Sequence, residues 1–108
     1  MRKTERQETA MKIILDDQRA MPEDRYRCVR TYEDCVYYLR IFRRIEFISL
    51  DYDLGTEKTG YDVLTFLLEN GNQVDHINIH SDHSVGVPRM TEFVRKNFPG
   101  AGLTFNPL

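Results

Sequence analysis

The chain has 108 residues, 30% of them charged and 41% hydrophobic, with a formal net charge of -2, so one domain around one core is expected and a second is not. Both signs of charge are spread along it, which argues against strong duplex nucleic-acid binding or a membrane-surface role but leaves room for a small charged substrate. It has no apolar run long enough to span a bilayer and no signal-peptide pattern, so a cytoplasmic protein is expected.

Residues 1–10 are polar, mixed in charge and without period, and read as a mobile arm ahead of a domain over 11–108. The apolar run 11–15 reads as a buried strand and 26–30 as a second, with Pro22 breaking a connection that is short for a crossover helix. Thr31 with Asp34 then opens a helix whose apolar face is Tyr32, Cys35, Val36, Leu39 and Phe42. A third strand spans 46–50 and a loop spans 51–58. Thr59 with Asp62 caps a second helix carrying Val63, Leu64, Leu67 and Leu68, and Gly71 stops it.

Residues 76–80 alternate, with Ile77 and Ile79 on one side and His76, Asn78 and His80 on the other, as in a half-exposed strand. Pro88 starts a third helix bearing Met90, Phe93 and Val94, Pro99-Gly100 ends it, and 103–105 form a last strand. The alternation predicts an α/β fold of five mostly parallel strands with helices on both faces. Cys28 and Cys35 have neither C-x-x-C spacing nor a partner set for zinc and read as reduced core or near-core thiols.

Two of the strands end in acids: Asp16 and Asp17 after the first, Asp51 and Asp53 after the third. Carboxyl ends of neighbouring parallel strands form the ligand crevice of such sheets, so Asp16, Asp17 and Asp51 offer hard oxygens suited to Mg²⁺ or Mn²⁺. Capping of helix amino termini is the plainer use of the same acids. Asp51-Tyr52-Asp53 also has the spacing of a nucleophile followed by an acid-base carboxylate, whereas an Asx turn before Gly55 accounts equally well for Asp53. A dehalogenase-type hydrolase would need more chain.

His80 and His83 flank Ser81, where an imidazole could protonate an oxygen leaving a cyclic phosphodiester, or simply hydrogen-bond within the loop. Ser81 has no obvious base and is assigned to phosphate binding, as are His83 and Arg19, whose planar fork suits a phosphate or the acidic pocket.

The series Leu15-Asp16-Asp17, Leu50-Asp51, Gly60 opening a helix, Ser81 after the fourth strand and Pro107 after the fifth resembles a response-regulator receiver domain. More narrowly, Leu15-Asp-Asp-Gln-Arg19 with Pro22, Ser49-Leu-Asp-Tyr-Asp-Leu-Gly55, Thr59-Gly-Tyr-Asp62 and His80-Ser81 with Gly86 look like the receiver-like family named for cyclic-phosphate processing. The resemblance implies a single flavodoxin-like, receiver-like three-layer sandwich with its first helix shortened or lost. It matches Asp16 and Asp17 to the receiver's metal-binding acids, Asp51 to its phosphoacceptor and Ser81 to its phosphoryl-contacting hydroxyl.

Three positions depart from the pattern. The receiver's lysine before the last proline falls at Asn106, Tyr52 stands where the narrower family usually has histidine, and His83 where asparagine is expected. The expected function is therefore Mg²⁺-dependent handling of a cyclic or terminal phosphate on a nucleotide or RNA end, with Asp53 and His80 as acid and base. The alternative is a non-enzymatic receiver-like signalling or interaction module.

Overall fold

The computed structural model of the protein describes residues 10–16 and 26–105. The expected arm, Asp17, Arg19 and Asn106 fall outside those residues. The elements run β1 (Met11–Leu15), β2 (Arg27–Val29), α1 (Tyr32–Ile41), β3 (Arg44–Leu50), α2 (Gly60–Asn70), β4 (Gln73–Val74), β5 (His76–Ile79), α3 (Gly86–Asn97) and β6 (Gly102–Thr104). Among the described residues these strands pair in parallel, in the order β2-β1-β3-β5-β6, with the two-residue β4 pairing with the start of β3. This is the receiver-like α/β fold.

Local signals in the sequence place the helices. Thr31 caps α1 by accepting the Asp34 backbone N–H at 3.0 Å. At α2 the Thr59 backbone N–H donates to Asp62 Oδ2 at 2.7 Å in a full capping box. Gly71, at φ 74°, takes the left-handed conformation that ends α2. α3 begins at Gly86 instead of Pro88, which sits in the first turn, where a missing N–H costs no helical bond.

Among the described residues the helices form one layer, α1 on α2 and α2 on α3. Connection handedness explains why. From β2 through β3 and β5 to β6 every crossover moves the same way along the sheet, so right-handed connections put α1, α2 and α3 on one face. The step from β1 to β2 runs the other way and would put its helix opposite; that is the helix expected to be shortened or lost.

The core lies under the helical layer. Ile13, Leu15, Ile45, Ile48, Leu50, Ile77 and Ile79 from the sheet meet Leu39, Val63, Leu64, Leu67, Met90 and Val94 from the helices. The alternate strand positions Lys12, Ile14, Phe47, Ser49, His76, Asn78 and Thr104 share registers on the other face. Tyr26, Phe47 and His76 pack there in a row, the last two stacked at 5.5 Å.

Candidate functional site

The parallel ladders run one residue past β1, β3 and β5. The backbone N–H of Asp16 donates to Val29 O at 3.1 Å, that of Asp51 to Leu15 O at 3.3 Å, and that of His80 to Leu50 O at 3.0 Å. Register pairs Leu15 with Leu50 and Leu50 with Ile79. The next residues, Asp16, Asp51 and His80, therefore stand side by side at the carboxyl edge of the sheet. Backbone hydrogen bonds between adjacent buried strands thus build the cluster, with no flexible loop involved.

One ligand atom from each of Asp16, Asp51 and His80 lies within 4.8 Å of the others. Asp16 and the His80 side chain are buried, with His80 Nε2 3.2 Å from Asp16 Oδ2, close enough for attraction but not aligned for a hydrogen bond to that oxygen. Burial pushes the Asp51 carboxyl above its ordinary value and the neighbouring Asp16 charge adds to the effect, while the Ser81 hydroxyl, the His80 imidazole and the Asp53 backbone N–H oppose it. A second carboxylate beside a partly buried one is a donor set that a cation would relieve.

Ser81 joins the cluster through its hydrogen bond to Asp51. Its hydroxyl also accepts the His83 backbone N–H at 3.2 Å. Asp53 is exposed, and its carboxylate accepts the Gly55 N–H at 3.0 Å in an Asx turn. His83 is not among the three converging groups. Its Nδ1 accepts the Gly86 N–H at 2.8 Å, capping α3, and its ring lies 4.4 Å from that of Tyr52. A Cβ at Gly86 would run into the Tyr52 ring, so glycine is what lets Tyr52 lie over the start of α3.

Behind His80 lies a set of polar groups that the sequence pattern did not reveal. His80 Nδ1 is 2.6 Å from Ser49 Oγ, and Asn78 Nδ2 donates to the same oxygen at 2.9 Å. Thr104 Oγ1 donates to Asn78 Oδ1 at 2.5 Å, and His76 Nε2 is 2.9 Å from Thr104 Oγ1. Ser49 and Asn78 are buried. The polar side of 76–80 is therefore a satisfied internal seam at Asn78, where a half-exposed strand face was expected. The signal was the alternation itself, with Ser49 on the neighbouring strand.

The sequence model of the family described as "Cyclic-phosphate processing Receiver domain" matches residues 11–96. The chain belongs to that family. No curated protein and no solved structure gave a significant match. The matched span of this cyclic-phosphate processing receiver domain includes all three strand tips and Ser81. Among the described residues no helix is long and apolar enough to cross a membrane.

Proposed function

We propose that this domain binds a cyclic or terminal phosphate of a nucleotide or RNA end at the Asp16, Asp51 and His80 cluster and, with a divalent cation, opens cyclic phosphodiesters. The observation that carries the reading is a buried imidazole beside two carboxylates at the tips of three parallel strands, in a chain of the cyclic-phosphate processing receiver family. Asp16 and Asp51, with Asp17 as the sequence pattern adds it, would hold Mg²⁺ or Mn²⁺ through their carboxylate oxygens. A cation held there would stabilise charge on the phosphoryl oxygens.

His80 supplies a nitrogen, a poorer partner for Mg²⁺, and its better use is to face the oxygen that leaves phosphorus. Ser81, His83 and Arg19 are assigned to phosphate binding, Arg19 on its sequence position alone. The Asp53 carboxylate is engaged with Gly55, so its support for the site is the backbone N–H given to Asp51. The non-enzymatic alternative draws only on the shared fold, and Asn106 in place of lysine weakens its phosphorylated form.

The test is turnover of 2′,3′-cyclic and 3′,5′-cyclic nucleotides and phosphorylated RNA ends with Mg²⁺ or Mn²⁺. Wild type should open a cyclic phosphate only with metal, and His80→Ala should be slower by about 10² or more, as for loss of a donor to developing charge, while calorimetry still shows metal bound. No turnover of any substrate would make this a binding module.

A further inference from the structure

Proton placement in the seam behind His80 is decided by who can donate. Asn78 Nδ2 can only donate, so Ser49 Oγ accepts from it, and its second lone pair and its one proton are both available to His80 Nδ1, 2.6 Å away. The far side of the ring favours one choice: a bare Nε2 would set its lone pair 3.2 Å from the Asp16 Oδ2 carboxylate oxygen, whereas a proton on Nε2 meets that oxygen favourably and leaves Nδ1 to accept from Ser49. Thr104 gives its proton to Asn78 Oδ1, which aims the Asn78 amide at Ser49, and so Thr104 accepts from His76 Nε2. Every bond runs in the same sense, from His76 across β6, β5 and β3 to His80. A ring whose Nδ1 accepts carries its proton on Nε2, the nitrogen beside Asp16.

We infer that Ser49, Asn78 and Thr104 are positioning residues that hold His80 as the Nε2–H tautomer, facing the Asp16 and Asp51 carboxylates. This rests on the proposed phosphate-opening role and sharpens it. A ring in this state can lend its Nε2–H as a hydrogen bond to the departing oxygen but cannot release it, since that would leave an imidazolate. His80 therefore stabilises charge on that oxygen without supplying its proton, which comes from solvent as the attacking water's proton returns to solvent. His80 ends the cycle unchanged.

Long-range ¹H–¹⁵N correlation spectra of the full chain at neutral pH read the ring directly, independently of activity. The expected result is a proton-bearing Nε2 and a bare, hydrogen-bonded Nδ1 on His80. A proton on Nδ1, alone or together with one on Nε2, overturns the inference. Asn78→Asp replaces the donor with acceptors, so Ser49 should turn its hydroxyl away and His80 should switch to Nδ1–H. Turnover should then fall about tenfold or more, as for other residues that orient a site's histidine, with KM within about twofold.

If that variant does not fold, Thr104→Val at the part-buried edge strand removes the hydroxyl that aims Asn78 and should leave His80 in mixed tautomers, with Thr104→Ser restoring the single form. An unchanged His80 spectrum in the folded variants overturns the inference. Correct tautomers with no turnover in any protein would leave the positioning roles standing and remove the phosphate-opening role instead.

Discussion

Replacing Asp51 by asparagine should make the protein more stable than wild type without metal and less stable than wild type with it. The Asp16 and Asp51 carboxylates lie within 4.8 Å, and at an effective dielectric constant of about 20 that separation costs at least about 3 kcal/mol when both are charged. The Ser81 hydroxyl, the His80 imidazole and the Asp53 N–H offset part of this. Asp51 is also partly exposed, so solvent screening reduces the rest, leaving roughly 1 kcal/mol. In chelator at neutral pH, Asp51→Asn should therefore melt higher by about 4–8 °C.

Because folding raises the Asp51 pKa, its contribution to stability is full below the unfolded-state value and is lost as pH rises through the folded value. The advantage of the variant should accordingly shrink on acidification and be largest above the folded pKa. Added Mg²⁺ should stabilise wild type by about 2.7 kcal/mol at a hundred times Kd, and the variant, short of a ligand, by far less. Thermal melts by circular dichroism at several pH values, with chelator and across a metal titration, measure all three effects. Equal metal stabilisation of both proteins, or a variant less stable than wild type in chelator, would refute the assignment of Asp51.

Asp51 should not retain a phosphoryl group from acetyl phosphate, because Asn106 lacks the receiver lysine's charge; a stoichiometric adduct by intact-protein mass spectrometry would favour the signalling alternative. Gly86→Ala should cost about 1–3 kcal/mol by overpacking Tyr52, and a denaturation midpoint equal to wild type would show that the ring yields freely. Cys35, buried with its thiol pushed up to about 12, should resist thiol reagents in the native protein, whereas half-buried Cys28 reacts. Counting labelled thiols before and after denaturation checks this, and rapid native modification of Cys35 would contradict its burial.

The strands and helices were legible where residue type and period agreed, as at Met11–Leu15 and at the Thr59 and Gly71 ends of α2. The strand-tip acids Asp16 and Asp51 were legible for the same reason, since a buried run that ends in a carboxylate can point it only at the edge. Asp53 was ambiguous because two-residue spacing serves a D-x-D pair and an Asx turn alike, and its hydrogen bond to Gly55 fits the turn. The Ser49, Asn78 and Thr104 seam was not legible: Ser49 precedes His80 by 31 residues, and only the register of β3, β5 and β6 brings these groups together. The start of α3 was misplaced because its cap comes from His83 Nδ1, which no common capping pattern contains.

The extension of the ladders past β1, β3 and β5 ties the cluster's persistence to that of the core. Asp16, Asp51 and His80 each spend their amide hydrogen on a neighbouring strand beside fully buried Leu15 and Leu50, so opening a surface loop does not scatter them. They belong to the cooperative unit that opens only when the sheet does. In the proposed role, a phosphate arriving there would meet carboxylates and an imidazole already in place, and none of its binding energy would be diverted to assembling them.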